Sequence, residues 1–179
     1  MKRQQVRTSK KRRNDKGLKE VTIYTDGSWK SKANAGGYAA LMIYGPYWKV
    51  IYSSESPTTI SRMELSAVIN SLKELTEPCL VTIISDSTYT CNCINTWIKS
   101  WKRRNWIAWS GKPVANADLI RDLDALMSIH SVKAVWVKAH TGKQDEDSIC
   151  NDLVDFYAQR SADDHHKTNK SDPSYAKLK

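Results

Sequence analysis

The chain has 179 residues, with 28 Lys+Arg against 19 Asp+Glu and a formal charge of +9. That length permits one ordinary domain with tails, and the lack of any run near the ~18 apolar residues of a membrane span excludes a membrane protein. No apolar stretch near the N-terminus resembles a secretory signal, and the four cysteines (Cys79, Cys91, Cys93, Cys150) form no CxxC pair, so they read as reduced thiols of a cytoplasmic chain.

Residues 1–20 carry nine basic and two acidic side chains, a net +7 that leaves +2 for everything after them. With Val6 and Leu18 as the aliphatic residues beyond Met1, this segment cannot offset its ordering entropy by burial and reads as a disordered basic arm. Phosphate attraction and a targeting signal in Lys10-Lys11-Arg12-Arg13 account for it equally well. Val21 to Thr25 is β-branched and aromatic, a strand stopped by Asp26-Gly27-Ser28. Gly36 to Tyr44 is a second strand, and Gly45-Pro46 turns it into a third, Tyr47 to Ser53. Leu65, Val68, Ile69 and Leu72 then recur at helical spacing. Leu80 to Ile84 is a short continuous apolar run, as in a strand buried on both faces, and stops at Ser85-Asp86-Ser87. A Trp-rich, basic helical region follows over about 88–105, and Leu119, Leu123, Leu126 and Met127 mark another amphipathic helix. Val132 to Val137 is a last strand, and Leu153, Val154, Tyr157 and Ala158 form the stripe of a last helix. From Asp163 to Lys179 the sequence turns polar and reads as a second loose tail. The order β-β-β-α-β-α-α-β-α predicts an α/β domain over residues 21–162, with a five-stranded mixed sheet made of an antiparallel meander and then parallel strands joined by helices.

Ligand sites in open α/β sheets gather beyond the carboxyl ends of the strands. Asp26 and Asp86 each follow a β-rich run, and if their strands are neighbours the carboxylates face each other across roughly one inter-strand spacing of ~4.8 Å. Two carboxylates that close raise each other's pKa unless a cation lies between them, and a hard divalent ion with oxygen ligands, Mg²⁺ foremost, meets that need. Each Asp alone also fits a turn or helix cap; the recurrence at two strand ends favours a metal site. Glu64 has an ordinary role open to it in the capping-box spacing Ser61-Arg62-Met63-Glu64, with Ser61 as N-cap, and on spacing alone that is the preferred one. It also lies beside Val68 at the edge of the apolar stripe, within reach of a site at the core's rim. On the last helix Asp155 is about 130° and Asp152 about 170° from the centre of the stripe, which makes Asp155 the better ligand candidate.

Together these stretches resemble the type 1 ribonuclease H family. The matching segments, in the family's order, are Tyr24-Thr25-Asp26-Gly27-Ser28, Thr58-Thr59-Ile60-Ser61-Arg62-Met63-Glu64-Leu65, Ser85-Asp86-Ser87-Thr88-Tyr89, Val137-Lys138-Ala139-His140-Thr141-Gly142 and Asn151-Asp152-Leu153-Val154-Asp155, covering about residues 21–160. The resemblance implies a ribonuclease H-like fold and a site of Asp26, Glu64, Asp86 and Asp155 holding two Mg²⁺ ions, with Mn²⁺ as an alternative. It further implies cleavage of the RNA strand of RNA–DNA hybrids to 5′-phosphate and 3′-hydroxyl ends, with His140 handling protons or easing product release. Outside that context His140 reads as an ordinary loop histidine.

Trp97 to Trp106 resembles the basic handle with which some bacterial members grip the DNA strand. Rings there pack on sugars or bases while Lys and Arg neutralise phosphates; equally, Trp97 and Trp101 at i,i+4 suit the buried face of a helix. The expectation is a mixture, with Trp97 partly buried, Trp101, Lys102, Arg103, Arg104 and Trp106 toward substrate, and Asn116 on the DNA backbone. Ile60 and Ser61 stand where relatives place Asn or Gln, and Lys32 and Thr88 likewise replace amides, which implies recognition of ribose hydroxyls that is either weaker or assigned to backbone groups. The loop from His140 to Asp155 is longer than in common bacterial members and adds Asp145, Glu146 and Asp147. The competing readings are a DNA-directed nuclease or strand-transfer enzyme of the same superfamily, and a non-catalytic nucleic-acid-binding module. Nothing in the sequence demands more than a monomer.

Overall fold

A computed structural model describes residues 17–139 and 144–167, with side chains through residue 164. Five strands, β1 (Lys19–Lys30), β2 (Ala35–Tyr44), β3 (Tyr47–Glu55), β4 (Cys79–Ser85) and β5 (Ser131–Trp136), form one sheet in the order β3-β2-β1-β4-β5. The β1–β2 and β2–β3 pairs are antiparallel, and β1–β4 and β4–β5 are parallel. Short turns allow the meander, whereas each parallel connection must cross a sheet face and is made by helix. The helices are α1 (Ile60–Lys73), α2 (Thr88–Asn92), α3 (Ile98–Arg103), α4 (Ala117–Ile129) and α5 (Glu146–Lys167), with a π segment, Cys93–Trp97, between α2 and α3.

Side-chain alternation along the central strands divides the core in two. Val21 and Ile23 of β1 and Val81 and Ile83 of β4 join Leu65, Val68, Ile69 and Leu72 of α1 and Ile120 and Leu123 of α4 on one face. Tyr24, Leu41, Val50 and Ile84 meet Val154 and Ala158 of α5 on the other. The α5 contact is close enough to dictate sequence. A Cβ at Gly37 would lie 2.3 Å from the Ala158 carbonyl oxygen and 2.5 Å from the Ala162 nitrogen, so only glycine lets the helix backbone rest on β2. The exposed edge strand β5 is guarded by Asn95 of the π segment. Its amide donates to the Ala134 carbonyl (2.9 Å) and accepts from the Ala134 N–H (3.0 Å), taking the place of a further strand.

Several expected boundaries move. β1 begins at Lys19, inside the stretch read as arm, and continues through Asp26 to Lys30 because β2 pairs with it along that whole length. The last helix runs to Lys167 and so overlaps the stretch from 163 read as tail; Lys30 pairs with Asp163 at 2.9 Å. Its buried side is Asn151, Val154, Ala158, Ser161 and Ala162, while Leu153, expected in the stripe, lies on the solvent side. The segment 1–16 and residues 140–143, with His140, lie outside the described residues. None of Cys79, Cys91, Cys93 and Cys150 forms a disulfide.

Candidate active site

Parallel pairing of β1 with β4 ends at Tyr24 opposite Ile84. Two residues further on come Asp26, still within β1 and on the same side of the sheet as Tyr24 by the period-two rule, and Asp86, the first residue past the end of β4. Asp26 is therefore not a turn cap: it sits within β1, opposite Ala39 of β2, at the level where β4 has stopped and left room. Asp86 is not the cap of α2 either. That role belongs to Ser87, whose Oγ accepts the Thr90 N–H at 3.2 Å. Trp136 steadies the turn from the next strand by donating its indole N–H to the Asp86 carbonyl at 2.8 Å.

The capping-box role of Glu64 fails as well. α1 starts at Ile60 and is capped by Thr59, whose side chain accepts the Arg62 N–H; Ser61 is inside the helix and Glu64 is its fifth residue. Freed from any cap, Glu64 is 8 % exposed and its Oε2 has no hydrogen-bond partner among the described residues. Carboxylate oxygens of Asp26, Glu64 and Asp86 all lie within 4.8 Å of one another. Asp155 of α5 is half-buried and within hydrogen-bonding reach of Asp26, and it accepts from Gln159 one turn on at 2.6 Å, whereas Asp152 faces solvent. Tyr24 donates its hydroxyl to Asp147 at 2.7 Å, which ties the first turn of α5 to the same strand that carries Asp26.

This crowding costs charge. Burial first, and then the neighbouring charges of Asp86 and Asp155, push Asp26 up to about 8, against the opposing effect of the Gly27 N–H. Glu64 is held well above the usual carboxylate range by burial and by Asp26 and Asp86, with the same Gly27 N–H opposing. An all-oxygen donor set with a buried, unpartnered carboxylate oxygen suits a hard divalent cation, which would remove the repulsion that raises these values. Gly27 is the residue whose importance the sequence does not reveal. A Cβ there would come within 2.6 Å of the Glu64 nitrogen and 2.9 Å of the Met63 carbonyl carbon, so its absence is what brings α1 and Glu64 against β1.

The basic segment is arranged differently from expectation. Trp97, Trp101 and Trp106 are all partly buried and packed on the main core, with Trp97 in ring contact with both Tyr89 and Trp101. Lys102 is exposed but paired with Asp124 of α4 at 2.8 Å. Arg103 is exposed, and Arg104 is half-buried with its guanidinium 4.0 Å from the ring centroid of Trp109, itself 90 % exposed. Asn116, in the left-handed region at φ 54°, donates to the Tyr89 hydroxyl at 3.4 Å. Next to it, Arg62 makes two hydrogen bonds to Asp118 (3.1 and 2.7 Å), joining the start of α4 to the helix that carries Glu64. His130, which has no motif around it, is a buried structural residue accepting the Cys79 N–H on Nδ1 at 3.3 Å.

Comparison with known proteins gives concordant results. The family model for RNase H matches residues 18–163. Ribonuclease HI of Neisseria meningitidis serogroup B is 44% identical over 142 residues, which span 79% of this chain and 94% of that protein. Ribonuclease HI of Haemophilus influenzae is 45% identical over 136 residues, 76% of this chain and 88% of that one. Among solved structures, a type 1 RNase H with the type 2 active-site motif superposes with a TM-score of 0.71 at 22% identity, covering 88% of this chain and 74% of its own. The PFV RNase H domain gives 0.67 at 24% identity, covering 79% and 93%. At these identities the two structures speak for the fold.

Proposed function

The chain belongs to the RNase H family, and from that membership we infer that it hydrolyses the RNA strand of RNA–DNA hybrids endonucleolytically at the carboxylate site, leaving 5′-phosphate and 3′-hydroxyl ends. The observation that carries the assignment to this site is the meeting of Asp26, Glu64 and Asp86 within 4.8 Å. Asp26, Glu64, Asp86 and Asp155 are the residues we assign as ligands of two Mg²⁺ ions, with Mn²⁺ as a substitute. Asp26 lies within 4.8 Å of Glu64 and Asp86 and within hydrogen-bonding reach of Asp155, at the centre of the set that would hold the ions. When bound, the ions supply Lewis-acid chemistry at the attacking and departing oxygens.

The protein's own contribution is to gather and fix the ligands, with the Gly27 N–H partly opposing the burial and repulsion that raise Asp26 and Glu64. Gln159 orients Asp155. We assign His140, which follows β5 in the sequence, to proton handling or product release. Arg103 and Asn116 are the substrate contacts we retain from the basic segment, because Trp101 and Trp106 pack on the core and Lys102 is ion-paired. We extend the proposal to a monomeric, cytoplasmic enzyme, the monomer being open to a light-scattering measurement.

One assay tests the reading. Labelled hybrid, duplex DNA and single-stranded RNA are incubated with Mg²⁺ and with either the wild-type protein or Asp26→Asn. Cleavage confined to the hybrid and lost in the variant is the expected outcome. Cutting of duplex DNA would move the chain to the DNA-directed nucleases, and binding without cutting to the non-catalytic modules.

A further inference from the structure

We propose that the indole of Trp109 is a stacking platform for an unpaired base, so that the basic segment favours hybrids flanked by single-stranded DNA. The proposal rests on the hybrid reading above and adds to it a substrate feature. Four tryptophans fall between residues 97 and 109, and three of them are partly buried on the core; Trp109 alone is thrown outward, 90 % exposed. Its mount is nevertheless constrained. The Ala108 N–H donates to the Lys112 carbonyl (2.9 Å), the Gly111 N–H donates to the Ala108 carbonyl (3.0 Å), and Ile107 bridges to Pro113, closing a tight turn around the ring. Gly111, at φ +75°, makes that turn without strain.

One face of the indole is covered by the Arg104 guanidinium at 4.0 Å. Nε and Nη1 of that guanidinium are buried and have no hydrogen-bond partner among the described residues. The cation–π contact holds the ring by one face and leaves the other face to solvent. The class of ligand follows from charge and geometry together. Residues 97–116 contain five Lys or Arg and no Asp or Glu, which selects a polyanion. A flat ring with one open face stacks on another flat ring; bases inside a duplex expose only their edges, and their faces become available at unpaired positions. A base on the open side would complete a three-layer stack of guanidinium, indole and base.

The test separates stacking from added phosphate charge. Affinity is measured by fluorescence anisotropy in EDTA, without divalent metal, for a hybrid carrying a short single-stranded DNA overhang of either polarity. It is compared with the same hybrid whose overhang is abasic, so that phosphates are equal and only bases differ. Wild-type protein is expected to bind the base-bearing overhang about 5-fold or more tightly in at least one polarity. Trp109→Ala brings the ratio to near unity, and Trp109→Phe gives an intermediate value. A wild-type ratio near unity in both polarities, or a wild-type ratio that survives in Trp109→Ala, overturns the platform. Mg²⁺-dependent cleavage of the same hybrids is scored in parallel. Failure of the wild type to cut any of them removes the hybrid reading, whereas cleavage with a ratio of unity removes the platform and leaves that reading in place.

Discussion

The carboxylate site and the basic segment are built by opposite means. At the site, acidic groups are forced together by backbone: β4 ends beside Asp26, and α1 presses on Gly27 closely enough that a Cβ there would lie 2.6 Å from Glu64. In the basic segment, backbone contributes turns and left-handed residues, Asn105 at φ 51° and Trp106 at φ 64°, while position is set by ring packing and the Lys102–Asp124 ion pair. The first arrangement gives a fixed geometry with stored repulsion; the second gives an adaptable positive surface. A reaction centre requires the former, because misplacement of ligands is costly in rate, and a grip on a polymer tolerates the latter.

The strongest way to break this contrast is to remove a ligand without disturbing the backbone. Asp26→Asn is expected to lower the hybrid-cleavage rate ~10²-fold or more, while above about pH 8, where Asp26 is charged, the metal-free variant melts no lower than wild type because a buried like-charge clash is relieved. Asp155→Asn should behave alike and Asp152→Asn stay near wild-type activity; the reverse pattern would show that α5 presents the other carboxylate. Gly27→Ala attacks the backbone itself. Its methyl group must displace α1 at Glu64, so the melting temperature should fall by about 5 °C or more together with activity, and loss of one without the other would show that α1 does not hold Glu64 in place.

How much of this is visible in the sequence depends on which force decides each residue. Asp86 is readable because the continuous apolar run before it marks a buried strand, and an acid at the end of such a strand falls where ligand sites gather. Helical angle favours Asp155 over Asp152, and the structure does put Asp155 beside Asp26, although Leu153 lies off the buried face. Spacing misleads at Glu64 because Thr59 and Ser61 are both competent caps, and only the position of α1 against β1 selects Thr59. Asp-Gly-Ser reads as a strand stop by local propensity, but Gly27 is present for the approach of a helix from another part of the chain. The Tyr24–Asp147 bond spans 123 positions and leaves no local signature. In the basic segment four Trp of one chemical type divide between core and solvent, and periodicity does not tell which goes where.

The stored repulsion also has a pH signature. Asp26 rises from 3.8 to about 8 on folding, so the folded protein binds more protons than the unfolded chain between those values. The contribution of this group to metal-free stability is therefore fully present below 3.8 and is lost as pH rises through about 8. Melting in EDTA across that range should show the decline, and Asp26→Asn should flatten it. Mg²⁺ should restore stability most at the alkaline end, because there the carboxylates are charged without competition from protons. A melting temperature in EDTA that climbs from about pH 5 to about pH 8 in step with Asp26 would contradict the buried cluster.

The smallest effects belong to the basic segment, and they discriminate between its members. Arg103 is exposed, while Lys102 is held by Asp124 at 2.8 Å. A cation already neutralised by a carboxylate must give up that partner to meet a phosphate, so its net contribution to binding is reduced. Arg103→Ala should weaken hybrid binding about 2- to 5-fold at low salt and lower the slope of log K against log salt by roughly 0.9, the value of one phosphate contact. Lys102→Ala should change the slope by much less, and Asp124→Ala should strengthen binding by releasing Lys102. If Lys102→Ala and Arg103→Ala shift the slope equally, the ion pair with α4 opens on contact with nucleic acid, and the segment is more adaptable than its packing on the core implies.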